Sequence, residues 1–137
     1  MFQEQSGVRA TETVVTILIV EDEEHIREFL EQVISEETPY KPLVVADGFE
    51  ALKVTLEVKP DLFLLDYHLP GIDGIELFDR LHEVKGFQDI PALIMSARLP
   101  RQELDKRSLD GLHKPLDVTA LLQKIQEVLE STEENAS

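Results

Sequence analysis

The chain has 137 residues and no cysteine, a length that suits one domain with its own core and a composition that excludes disulfides, zinc–thiolate sites and cysteine nucleophiles. Lys and Arg number 13 against 28 Asp and Glu, a net charge of −15; that field repels nucleic-acid phosphates and attracts cations and basic protein surfaces, so direct nucleic-acid binding is not expected. No apolar run approaches the roughly 20 residues of a membrane span, and the opening MFQEQSGVRATET lacks the basic and apolar regions of a signal peptide. A cytoplasmic protein without membrane insertion is expected.

Residues 1–13 are polar and without period, and read as a flexible N-terminal arm. Val14 to Val20 is a β-branched run without alternation, as in a strand buried on both faces of a parallel sheet. Ile26, Phe29, Leu30, Val33 and Ile34 then recur at helical spacing over about His25 to Glu36. Leu43 to Ala46 predicts a second strand. Phe49 to Val58 predicts a helix with Ala51, Leu52 and Leu56 inward. Leu62 to Leu65 is a third strand ending at Asp66, and Leu69 to Gly74 is a turn. Ile75, Leu77, Phe78 and Leu81 lie on the next helix, and Ile90 to Met95 is a fourth strand ending at Ser96. Arg98 to Asp110 is polar with scattered leucines and predicts one short helix; Gly111 to His113 leaves a stub of a fifth strand. Asp117 is placed to cap a last helix with Val118, Leu121, Leu122, Ile125, Val128 and Leu129 as its stripe. The domain is read as residues 14–130, followed by a polar tail at 131–137. Phe29, Phe49, Phe63 and Phe78 are read as packing residues, and His25 and His82 as helix surface.

Strand and helix alternate five times, which predicts one five-stranded, doubly wound parallel sheet with helices on both faces. Ligands of such sheets bind beyond the carboxyl ends of the strands. Here the strands end at Glu21-Asp22, at Asp66, at Ser96 and just before Lys114. Singly, these are a helix start, a turn former, a cap and a surface lysine. Jointly, they bring three carboxylates, a hydroxyl and an ammonium to one rim. Crowded carboxylates repel, and burial sharpens the repulsion. A divalent cation relieves it, and all-oxygen ligands suit Mg²⁺ or Mn²⁺. A carboxylate can also accept a phosphoryl group as a mixed anhydride, and Asp66 on the central strand is the candidate nucleophile.

With these residues in place, the sequence resembles the response-regulator receiver domain of two-component signalling, in its stand-alone, CheY-like form. The resemblance runs from about Val14 to Leu129. It rests on Glu21-Asp22, the Ala46-x-Gly48-x-Glu50-Ala51-Leu52 stretch, Asp66 ending LFLLD, Pro70-Gly71-x-Asp73-Gly74, Ser96-Ala97 and Lys114-Pro115. It implies a flavodoxin-like strand order 2-1-3-4-5. It also implies that Asp66 takes a phosphoryl group from a sensor histidine kinase or phosphotransfer protein. Glu21, Asp22, Asp66 and the backbone carbonyl of His68 would hold Mg²⁺. Ser96 and Lys114 would contact the phosphoryl group, and the Lys114-Pro115 peptide would be cis. His68 and Arg98, two residues beyond the nucleophile and the hydroxyl, would border the phosphoryl group and tune its lifetime. Such a domain signals to a downstream protein as a switch or relay and is no turnover enzyme; it assists only its own phosphorylation and dephosphorylation.

The sequence departs from the family at one end of the sheet. The position three before the lysine, normally a rotating Tyr or Phe, is Gly111. The interval from Ser96 to Lys114 is a few residues short. The stretch from Leu99 to Leu109 reads as poorly packed, which predicts fast amide exchange from Arg98 to Leu112 and leaves an alternative open, a receiver-like interaction module that does not signal by phosphate. A phosphatase using Asp66 is a third reading, weakened by His68 where such enzymes place a second Asp.

Overall fold

The computed structural model describes residues 14–136, with side chains to 132; the expected N-terminal arm lies outside them. The elements are β1 (Thr16–Val20), α1 (Glu24–Glu37), β2 (Lys41–Val45), α2 (Gly48–Val54), β3 (Leu62–Asp66), α3 (Gly74–His82), β4 (Ala92–Ser96), α4 (Arg101–Lys106), β5 (Asp110–His113) and α5 (Val118–Ala136). The strands form one parallel sheet in the order β2-β1-β3-β4-β5.

The apolar runs of the central strands have a physical reason in this sheet. Successive side chains point to opposite faces, and both faces are covered. Leu18, Val20, Phe63, Leu65, Ala92 and Ile94 pack under α2, α3 and α4 with Ala51, Leu77, Phe78, Leu81 and Leu104. Ile17, Ile19, Leu62, Leu64, Leu93 and Met95 pack under α1 and α5 with Leu30, Ile34, Leu121 and Ile125. The edge strand β2, only half-buried, accommodates Pro42.

Five expectations need correction. Helix α2 stops at Val54 rather than Val58, and the Thr55 hydroxyl donates to the Leu52 carbonyl as the chain leaves it. Leu56 falls in the following turn and is 83% exposed instead of inward. Phe49 at the helix start is 59% exposed and leans over Gly71 rather than into the core. His82 is half-buried, not surface; its ring lies 4.0 Å from that of Phe78 and its Nε2 is 2.9 Å from the Ile90 carbonyl oxygen. Helix α5 continues through Ser131 to Ala136, where the sequence reading has a tail; Glu and Ala favour helix, and no Gly or Pro stops it there.

The stretch expected to be loose is anchored. Leu99 (8% exposed) and Leu104 (2%) belong to the core, and Leu112 is buried on the other face. Arg107 donates from Nε and Nη2 to the two carboxylate oxygens of Asp79 on α3, each at 2.8 Å, and from Nη1 to Glu103 Oε1 at 2.9 Å. Two leucines and one bidentate guanidinium seat this six-residue helix, against the expectation of a poorly packed stretch.

Candidate functional site

Strand register builds the site. Val20 pairs with Leu65, so Glu21 follows level with Asp66. Asp66 pairs with Met95 and Ser96 with His113, so Ser96 and Lys114 each stand one step further along the same rim. The β3–α3 connection is held close by Gly74, whose N–H donates to the Tyr67 carbonyl at 2.8 Å. A Cβ on Gly74 would lie 2.4 Å from the Asp66 carbonyl oxygen, so only glycine fits. Helix α3 then starts on a capping box between Asp73 and Glu76, with Asp73 Oδ1 accepting from the Glu76 N–H at 2.8 Å.

Carboxylate oxygens of Glu21, Asp22 and Asp66 lie within 4.8 Å of one another. Glu21 is 1% and Asp66 3% exposed, whereas Asp22 is open to solvent. Lys114 Nζ donates to Glu21 Oε1 at 2.8 Å and lies 3.1 Å from Asp66 Oδ1. Burial pushes the Glu21 carboxyl above its ordinary value; the Lys114 hydrogen bond and the Glu23 N–H on its other oxygen draw it back only in part, and the Asp66 charge adds to the rise. Burial works against the Lys114 ammonium too. There the hydrogen bond to Glu21 and the charges of Asp66 and Glu21 outweigh it and hold the ammonium above its usual range. Glu21 is the more deeply buried partner, so its unmet need for positive charge governs the pair.

Such a set fits a hard divalent cation. Two buried carboxylates and one exposed one converge, one lysine serves two of them, and the open side lets a cation keep water ligands. His68 lines the same cleft, and its N–H donates weakly to Asp66 Oδ1 at 3.4 Å. The Lys114–Pro115 peptide is cis.

Ser96 reaches the rim, but its hydroxyl is engaged elsewhere. Oγ donates to the Arg98 carbonyl at 2.8 Å and accepts from the Arg98 N–H at 3.1 Å. The Arg98 side chain is exposed. At Gly111 the space of a side chain is taken. A Cβ there would lie 2.7 and 2.9 Å from the two Leu99 methyls and 3.2 Å from Leu104 Cδ1.

Sequence reasoning passed over one residue. Arg27, a turn into α1, donates from Nη1 to the carbonyls of both Glu21 and Asp22 at 2.9 Å and so ties down the loop that carries two of the three carboxylates. The available signal was a cation a helical turn and a half beyond an acidic pair.

The family model for the response regulator receiver domain matches residues 17–126. The chain belongs to the response-regulator receiver family. It is 37% identical over 121 residues to the phosphate regulon transcriptional regulatory protein PhoB of Pseudomonas aeruginosa, covering 85% of this chain and 52% of that protein. It is 32% identical over 117 residues to sporulation initiation phosphotransferase F of Bacillus subtilis, covering 82% of this chain and 92% of that protein. The chain thus spans about half the length of the Pseudomonas regulator and nearly all of the Bacillus protein. Among solved structures, the chemotaxis response regulator CheY4 of Vibrio cholerae superposes with a TM-score of 0.78 at 25% identity, over 85% of this chain and 99% of that one. The receiver domain is a phosphoacceptor signalling module of two-component systems, and its strand order is the one found here. Among the described residues no helix is long and apolar enough to cross a membrane.

Proposed function

We propose that Asp66 is the phosphoacceptor of this receiver and that Mg²⁺, or Mn²⁺, is held beside it by Glu21, Asp22, Asp66 and the His68 carbonyl. The observation that carries this reading is the convergence of a buried strand-end carboxylate with two further carboxylates and Lys114. An Asp66 carboxylate oxygen attacks the phosphorus of a phosphohistidine. A P–O bond forms, the P–N bond breaks, and the departing imidazole takes up a proton. Bound at this site, the cation would neutralise charge on the phosphoryl oxygens. Lys114, released from Glu21, takes one phosphoryl oxygen and the Ser96 hydroxyl another. His68 and Arg98 flank this group and set how readily water attacks it. The donor is a sensor histidine kinase or phosphotransfer protein in the cytoplasm, and the output is a contact with a downstream protein. Turnover is limited to the domain's own phosphorylation and dephosphorylation. The name of the Bacillus relative, a phosphotransferase, favours a relay as readily as a terminal switch.

Intact mass after incubation with Mg²⁺ and a small acyl phosphate is expected to show one base-labile phosphoryl group, absent in Asp66→Asn. Equal labelling of that variant would move the acceptor elsewhere. Millimolar Mg²⁺ is expected to raise the melting temperature, and Asp22→Ala to lose most of the gain. Replacing His68 and Arg98 together by Ala is expected to change the lifetime of the aspartyl phosphate; an unchanged lifetime removes their role.

A further inference from the structure

Gly111 sits on β5 level with Ile94 on β4, and Ile94, Leu99 and Leu104 belong to the core cluster on the α4 side of the sheet. Its missing side chain leaves a seat, and Leu99 occupies it, with both methyls closer than 3 Å to where a Cβ would stand. Leu104 also borders the seat, its Cδ1 3.2 Å from the same point, on a helix that Arg107 fastens to Asp79. Leu99 is buried there. The residue before it, Arg98, presents its N–H and carbonyl to the Ser96 hydroxyl and uses both the donor and an acceptor lone pair of that group. The anchor and the hydroxyl's partner are adjacent in the chain.

We infer that Leu99 is a positioning residue for phosphoryl transfer: seated over Gly111, it holds the Arg98 backbone that keeps the Ser96 hydroxyl away from Asp66. The inference rests on the reading of Asp66 and Ser96 given above. For Ser96 to serve a phosphoryl oxygen, it must give up two hydrogen bonds to Arg98. Arg98 is exposed, so water can replace those bonds once the backbone is free to turn outward. It is free only when Leu99 leaves its seat. Phosphorylation and the seated state of Leu99 are thus opposed, and the size of residue 111 sets the balance between them.

The test is a rate comparison with a small acyl phosphate at saturating Mg²⁺, in the parent, Leu99→Ala, Ser96→Ala and the double variant. Leu99→Ala is expected to accept phosphate faster, about three- to tenfold for hydrogen bonds of ordinary net strength. In the Ser96→Ala background the same change is expected to do nothing, and Leu99→Met, which refills the seat, is expected to restore the parent rate. Gly111→Ala evicts Leu99 without altering it and is expected to match Leu99→Ala, which guards against a packing artefact in either variant. Amide exchange at Arg98, read without any phosphodonor, is expected to quicken about tenfold in Leu99→Ala. A rate unchanged by Leu99→Ala, or changed by the same factor with and without the Ser96 hydroxyl, overturns the inference while leaving Asp66 in place. A parent protein that takes no phosphate overturns both.

Discussion

Gly74 shows how a single missing carbon shapes this site. A Cβ there would press on the Asp66 carbonyl at 2.4 Å and on the Tyr67 Cα at 3.0 Å, both backbone atoms that cannot swing aside. Gly74→Ala is therefore expected to cost roughly 1–3 kcal/mol, as overpacking does, and also to weaken the melting response to Mg²⁺, because the strain falls on the residue carrying the central carboxylate. Urea denaturation with and without Mg²⁺ checks both; a variant with parental stability would show that the loop relaxes at no cost. At this scale, the placement of Glu21, Asp66 and Lys114 was legible because residues that end parallel strands share a rim whatever their side chains do. The direction of the Ser96 hydroxyl was not. It depends on where the backbone goes two residues later, and nothing in Ser-Ala-Arg announces a turn back onto the hydroxyl.

At the scale of elements, α4 is the part where pattern and packing part company. A six-residue helix has under two turns, too few for a stripe to emerge, so Leu99, Leu104 and Leu109 look scattered in sequence although Leu99 and Leu104 are core residues. The clue was Gly111 itself, since a glycine on a strand facing a helix demands a filler from nearby. The same shortness explains Phe49 and Leu56: the helix has only seven residues, Gly48–Val54, with Phe49 in its first turn and Leu56 already past its end. The clamp that secures α4 has a pH signature. Hydrogen bonds from Arg107 hold the Asp79 carboxyl below its ordinary value. A group depressed in this way contributes stability above its unfolded pKa and loses it as the pH falls through the folded one. Below about pH 4, the parent is thus expected to lose more stability than Asp79→Asn. The difference will stay under about 1 kcal/mol, since the Asp79 side chain is 47% exposed and solvent screens the pair. Parallel acid titrations of the two proteins, followed by circular dichroism, would contradict this if their curves kept a constant separation.

The whole molecule carries a net charge of −15 on 137 residues. Self-repulsion of that size opposes the compact state. Monovalent salt raised from about 0.01 M to about 0.15 M shortens the Debye length from roughly 30 to 8 Å. It is expected to raise the melting temperature by roughly 2–4 °C, equally in the parent and in Asp22→Ala; a fall would mean that ion pairs such as Arg107–Asp79 outweigh the excess of like charge. The five-stranded, doubly wound parallel sheet was readable from the rhythm of strands and helices, and its strand order from the resemblance to the receiver family, whereas the reach of α5 was not, because a polar helix end and a polar tail share one composition.

Pro42 has a consequence for how copies of this molecule meet. The N–H of Lys41 donates to Val15 on the inner side, so by the alternation of backbone groups along a strand the next residue turns its own toward solvent. That residue is a proline and has no N–H to offer. An approaching strand would find a gap in the row of donors along the outer border of β2, beside the exposed charge of Lys41. Borders of this kind resist templating a second sheet. Two copies crowded together are thereby steered away from joining backbone to backbone along β2, and toward contacts made by side chains, which salt and phosphate can adjust.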